Sequence, residues 1–325
     1  MKKKATGTSY AKIIFFGEHS VVYGKPAIAI PVYSVNVTVA IKLISVGQTI
    51  HCRYFDGPIS EMADNLKGIG VLIRQLLKSF NSPDLPFELT IQSKVPSERG
   101  MGSSAATAVA LVRGFFNLFE KPLTRSRLLA LADVEEQITH GNPSGLDAAT
   151  ASSEAPIWFV KNQINEQIEF HSSDLFLVIA DSGIKGKTSE AVSLVHNNVV
   201  TNSDVAVPLI DQLGTIADSA KDALASADKK QLGMLMNQSQ HHLSKLGVST
   251  DTLDDFCRIA VANNALGAKL TGSGLGGCMI SLTDNQRDAQ IISTKLRQAG
   301  ATQTWIQSFE NYEYSTGEAH DNLVN

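Results

Sequence analysis

The chain has 325 residues, 43% hydrophobic and 18% charged, with 28 Lys+Arg against 32 Asp+Glu for a formal charge of −4. That length suits two domains or one large α/β unit, and the apolar fraction buries a sizeable core, which excludes wholesale disorder. The slightly acidic balance excludes a protein that lives on nucleic acid or an anionic membrane, since both need a broad basic surface. No stretch approaches the ~18 consecutive apolar residues of a membrane span. Ala5 to Ser9 is polar where a signal peptide would need its apolar segment, so the expectation is a cytoplasmic protein.

In chain order, strand-like runs come first: Lys12–Phe16, Pro26–Ile30, and Val35–Ile41 with its period-two alternation. Thr49–Phe55 is expected to pair with the last of these as a meander. A helix follows, with Leu66, Ile69, Leu72, Ile73, Leu76 and Phe80 at spacings of three and four, and then the alternating strand Phe87–Ile91. One helix is predicted from near Gly102 to Phe119, and another after Thr124, a good N-cap, with Leu128, Leu131 and Ile138 on one side. Leu175–Ala180 reads as a buried strand. Helices are predicted over 188–199, 204–226, 229–245 and 252–264. Two short strands, Ala268–Leu270 and Cys278–Leu282, a helix over 286–298 and a strand over 302–306 close the pattern. The class is α+β in two halves, residues 1–183 and 184–315, with a polar tail over 316–325. Cys52, Cys257 and Cys278 are too few and too scattered for a disulfide framework or a zinc site.

Three glycine-rich segments compete for a phosphate site. Gly183-Ile-Lys-Gly-Lys-Thr188 lacks the first glycine of a Walker A loop and reads as a strand-to-helix turn. Gly272-Ser-Gly-Leu-Gly-Gly277 fits G-x-G-x-x-G as text, but a strand follows where a dinucleotide site needs a helix. It reads instead as a hairpin pressed against a ligand or another backbone. Pro96-Ser-Glu-Arg-Gly-Met-Gly-Ser-Ser-Ala-Ala106 is the strong candidate, because two glycines and two hydroxyls lead straight into a helix whose free N–H groups and dipole favour an anion. Glu136 and Asp147 stand eleven residues apart across His140-Gly-Asn-Pro-Ser-Gly145, close enough to converge on one cavity. Taken alone, Glu135, Glu136, Asp147 and Lys12 read as solvated surface charges.

Three motifs, Lys12 to Gly24, Gly100 to Ala106 and Gly272 to Gly277, together resemble the signatures of GHMP kinases in order and spacing. Gly17-Glu-His-Ser-Val-Val-Tyr-Gly24 with His140-Gly-Asn-Pro-Ser-Gly-Leu-Asp147 is similar, within that superfamily, to the mevalonate kinase family. The resemblance implies an N-terminal ribosomal-protein-like α/β domain and a C-terminal ferredoxin-like, helix-rich domain with the active site in the cleft between them. It implies ATP-dependent phosphorylation of mevalonate in isoprenoid biosynthesis, with Mg²⁺ as cofactor. By the same resemblance Gly100, Met101, Gly102, Ser103 and Ser104 cradle the ATP phosphates, and Ser104 and Glu136 ligate Mg²⁺. Asp147 and Lys12 are catalytic and contact the substrate alcohol, while Glu18, His19, Thr271 and Gly272 shape the substrate pocket. Tyr10-Ala11 stands where many relatives have Pro-Gly, Glu98 where another glycine is common, and Met101 where leucine is; these departures suit bacterial-looking members. Phosphomevalonate, homoserine or a sugar stay open as acceptors, as do a decarboxylase, a homodimer, and a non-catalytic nucleotide-binding relative.

Overall fold

The computed structural model of the protein describes residues 1–140, 144–161, 163, 166–168 and 174–312, with Asn65, His140, Asn311 and Tyr312 described by backbone alone. The polar tail over 316–325 and the turn residues Gly141 and Asn142 lie outside the described residues. The elements are β1 Lys4–Phe16, β2 Ala27–Leu43, β3 Gln48–Cys52, β4 Phe55–Pro58, α1 Lys67–Ser79, β5 Phe87–Ser93, α2 Ser103–Phe119, α3 Arg125–His140, α4 Leu146–Ala151, β6 Ile157–Phe159 and β7 Glu166–Gln167. Then come β8 Phe176–Asp181, α5 Thr188–Thr201, α6 Ser203–Ala225, α7 Lys229–Lys245, α8 Asp251–Ala262, β9 Gly267–Thr271, β10 Cys278–Thr283, α9 Gln286–Gln298 and β11 Gln303–Ser308. The α+β class holds.

The first sheet runs β4-β3-β5-β2-β6-β7, with β1 antiparallel to the length of β2. The two predicted strands of 26–30 and 35–41 are one strand. A register shift, in which Tyr10 faces Asn36 but Ala11 faces Val32, absorbs the intervening residues as a bulge. The meander fails. The flank of β2 over Val37–Leu43 is occupied by β5, whose Phe87, Leu89 and Ile91 all turn inward. The 49–55 run breaks into the β3–β4 hairpin, and β3 joins the outside of β5 in parallel.

Helices α1 to α4 cover one face of this sheet, and α2 is buried nearly all round, as its alanine-rich sequence permits. It sits so close to β1 that an ideal Cβ on Gly7 would stand 2.1 Å from the Ala110 carbonyl oxygen and 2.3 Å from the Gly114 nitrogen.

The second sheet, β11-β8-β10-β9, is antiparallel. Its β8 explains why Leu175–Ala180 is apolar without alternation. Leu177 and Ile179 face the core shared with the first sheet, while Val178 and Ala180 face a second core under α5, α6, α8 and α9. In β10, Ile280 and Met279 divide the same way. Pairing therefore puts β8 in the second sheet, between β10 and β11. The exposed edge of β9 is covered by α7, where Asn237 and Gln240 side-chain oxygens accept the amides of Ala268 at 3.0 Å and Leu270 at 2.7 Å.

Because nothing but backbone lies beyond Gly7, Gly7→Ala is expected to lift α2 from the sheet and to cost roughly 1–3 kcal/mol. Urea unfolding checks this. An unchanged midpoint would show that the helix accommodates the methyl.

Candidate active site

The glycine-serine loop ends in the positive end of α2. Gly102 is the N-cap, at φ 68°, and no side chain caps the helix. Ser103 is thus the first helical residue rather than the capping one. The first intrahelical bond runs from the Ala106 amide to the Gly102 carbonyl at 2.9 Å, which leaves the amides of Ser103, Ser104 and Ala105 outside the helical ladder. Met101 turns its side chain into the core, 1% exposed, and its carbonyl accepts the Lys12 amide at 3.0 Å.

Lys12 is not a surface lysine. It is 4% exposed, and its Nζ lies 2.8 Å from Asp147 Oδ1. Asp147 is in the first turn of α4, a helix absent from the sequence expectations, and stays about a third exposed. Gly102 closes over the pair: a Cβ there would be 2.8 Å from Lys12 Cγ and 3.6 Å from Asp147 Oδ2. Left-handed backbone and close approach both require glycine at this position.

The acids of α3 are buried too, contrary to the surface expectation, with Glu135 at 5% and Glu136 at 4% exposure. The Ser104 hydroxyl donates to Glu135 Oε2. Glu136 Oε1 is buried without a hydrogen-bond partner. Burial first, then the charges of Asp147 and Glu135, push the Glu136 carboxyl up to about 8. An orphaned carboxylate oxygen beside a serine hydroxyl and two further acids is a donor set that fits a hard divalent cation, which needs only one or two carboxylates when phosphate and water supply the rest. Among the described residues no group of three or more His, Cys, Asp or Glu is placed so that it could hold a metal by itself, so hydroxyl and phosphate oxygens would have to complete the set.

The remaining predicted positions gather at the seam between the halves. Thr271 is 1% exposed, and its hydroxyl donates to the Ile14 carbonyl at 2.8 Å while accepting the Ile14 amide at 3.1 Å. It bridges the halves, and its one proton is committed to that bridge. Gly272 backs onto Gly100, where its Cβ would stand 3.4 Å from Gly100 Cα. His19, in a left-handed conformation at φ 61°, has Nε2 2.9 Å from the Ser273 carbonyl, and burial holds its imidazole below the ordinary range. The hairpin loop presses on other backbones as expected, Gly274 on Val248 and Gly277 on Arg99.

Sequence reasoning missed three partners. Glu18 is fully buried against Lys269, itself fully buried on β9 and bonded to the Leu270 carbonyl at 2.8 Å. Glu135 carried no signal that separated it from Glu136. Arg99 reaches across to Asp181, Nε to Oδ1 at 2.8 Å, and to the Gly183 carbonyl at 3.1 Å. Alternation along β9 would send Lys269 outward, so all three depend on tertiary contact alone.

The family model of the GHMP kinases N terminal domain matches residues 67–154, and that of the GHMP kinases C terminal domain matches 220–302. The mevalonate kinase of Pyrococcus furiosus is 32% identical over 321 residues, spanning 92% of this chain and 94% of that one. This chain belongs to the mevalonate kinase family. Two solved mevalonate kinases share the fold. That of L. major, in complex with R-mevalonate, has a TM-score of 0.82 at 26% identity, covering 95% of this chain and 98% of that one. That of methicillin-resistant Staphylococcus aureus has a TM-score of 0.74 at 31% identity, covering 94% and 99%. Archaeal mevalonate kinases match this chain along nearly its full length, so the departures at Glu98 and Met101 do not by themselves mark a bacterial lineage. Among the described residues no helix is long and apolar enough to cross a membrane.

Glu136 gives this site a pH signature. Unfolded, its carboxyl returns to the ordinary value near 4.5, so between there and about 8 the native state holds a proton that the unfolded chain has released. The stability contribution of this group falls as pH rises through that window and levels off above it. In EDTA, Glu136→Gln is expected to melt above the parent at pH 8 and by a smaller margin at pH 5. A margin that fails to widen with pH would mean Glu136 is ionised throughout.

Proposed function

We propose that this chain transfers the γ-phosphoryl group of ATP to the primary hydroxyl of mevalonate, giving 5-phosphomevalonate. The observation that carries the reading is the Lys12–Asp147 pair at 2.8 Å, held directly against Gly102 at the mouth of α2. A proton acceptor, a fixed cation and an anion-binding helix end thereby share one small volume, which is what transfer of a phosphoryl group to an alcohol needs. Kinship with mevalonate kinases along nearly the full chain supports mevalonate as the acceptor. We take the molecule as an N-terminal and a C-terminal GHMP kinase domain with the site at their seam.

The open amides of Ser103, Ser104 and Ala105, with Gly100 and Gly102, receive the ATP phosphates. Ser104 and Glu136 would hold Mg²⁺, which neutralises phosphate charge when bound. With Asp147 Oδ1 on Lys12, Oδ2 is the oxygen left to accept the proton of the substrate hydroxyl. The Lys12 ammonium, desolvated and immobile, favours the alkoxide as that proton leaves. Glu18 and His19, pinned from behind by Lys269 and Ser273, line the substrate side.

ADP release coupled to an indicator enzyme tests the reading directly: mevalonate is expected to support turnover, and phosphomevalonate, homoserine and galactose are not. Asp147→Asn keeps hydrogen bonding without basicity and is expected to lower kcat by about 10² or more with little change in KM. Near-normal kcat in that variant would remove Asp147 from the chemistry.

A further inference from the structure

Beside Ser104 and Glu136 lies a carboxylate that the roles above do not use. Glu135 is 5% exposed, and both of its oxygens are engaged by protein hydroxyls: Oε2 accepts from Ser104, and Oε1 accepts from Thr139 at 2.7 Å. Helix α1 passes over it at Gly68, where an ideal Cβ would stand 3.0 Å from Glu135 Oε1 and 2.9 Å from Thr139 Oγ1. Three helices thus form a recess around one carboxylate, and any residue larger than glycine on α1 would fill it. Thr139, one turn further along α3, ties the second oxygen and keeps the group from swinging. Its neighbour Glu136 is in the opposite state, buried with Oε1 unpartnered.

A serine hydroxyl has one proton and two lone pairs, and the destination of the proton decides what the oxygen can offer. A Ser104 proton given to Glu136 or to a phosphate oxygen would leave the hydroxyl badly turned for a cation. Given to Glu135, it leaves the lone pairs facing away from the recess. Groups behind metal ligands orient them in this manner, and removing such a group commonly costs about 10–100-fold in metal affinity. We propose that Glu135 is a positioning residue: it takes the Ser104 Oγ proton and presents the Ser104 oxygen as a lone-pair donor to the divalent cation, without touching the cation itself. This rests on the reading that Ser104 and Glu136 hold that cation.

The test measures Mn²⁺ affinity by electron paramagnetic resonance, on protein carrying a non-hydrolysable ATP analogue with a β,γ-imido bridge. Glu135→Ala is expected to weaken Mn²⁺ binding about 10–100-fold and Ser104→Ala by a similar factor. The double variant should be no weaker than Ser104→Ala alone, because Glu135 acts only through that hydroxyl. Losses that multiply in the double variant overturn the proposal, since they mean Glu135 acts on the cation by another route. Unchanged affinity in Glu135→Ala beside a weakened Ser104→Ala also overturns it and leaves the cation reading intact. Unchanged affinity in Ser104→Ala overturns the cation reading itself. If Glu135→Ala does not fold, Glu135→Gln carries the comparison: with one acceptor for two hydroxyls it should lose less, and the loss should vanish on the Ser104→Ala background. A loss that persists there counts against the proposal.

Discussion

The pair of buried Lys12 and partly exposed Asp147 constrains everything around it. At 2.8 Å and an effective dielectric of about 20, two unit charges attract by at most roughly 6 kcal/mol, while withdrawing the lysine from water costs several kcal/mol. The two terms nearly cancel, so the pair adds little to stability and needs a frame that holds it. That frame is specific: β1 anchors the lysine through its amide on Met101, α4 presents the aspartate in its first turn, and Gly102 supplies the one surface thin enough to lie on both. A pair with so little net energy is kept for what it does to a third group placed against it.

The charge balance of the surroundings extends that point. Among the described residues, Glu135, Glu136 and Asp147 share their surroundings with the cation of Lys12 in a largely buried space. Burial and the neighbouring acids raise the Glu136 carboxyl to about 8 even though Lys12 opposes the shift. Such an excess of negative charge is unfavourable by itself and would become favourable with the divalent cation proposed above, while the α2 dipole would offset the proposed phosphates. The acids and the helix end are therefore complementary halves of one electrostatic arrangement.

Much of this was legible in the sequence, and the failures have a common cause. Element periods survive folding because they are local: Thr124 caps α3 through the Arg127 amide at 3.2 Å, and α1 buries the side that its three-and-four spacing marked. The glycine-serine loop was legible because a helix mouth without a side-chain cap leaves a trace of glycines. Burial of charge left no such trace. Lys12, Glu135, Glu136 and Lys269 have the composition of surface residues, and only partners 31 to 251 positions away turn them inward. The same holds for β3, whose partner β5 lies beyond a whole helix, so local alternation suggested the wrong neighbour.

Glu98, which stands where relatives often carry glycine, and its neighbour Arg99 make sense only at this longer range. Glu98 and Arg99 turn away from the helix mouth and toward the second half of the molecule. Glu98 pairs with Lys185 at 2.5 Å and accepts the Gly186 amide through its carbonyl at 2.7 Å, while Arg99 joins Asp181 and the Gly183 carbonyl. On its other side the loop is tied to β1 by the Lys12 amide. A loop rich in glycine has many conformations to lose, and this one is held from both domains at once, so its ordering is supplied by the halves meeting rather than by its own residues. Closing the seam and shaping this loop are consequently the same event. That is why the polar groups of Thr271 and Lys269 are committed to Ile14 and Glu18 across the seam.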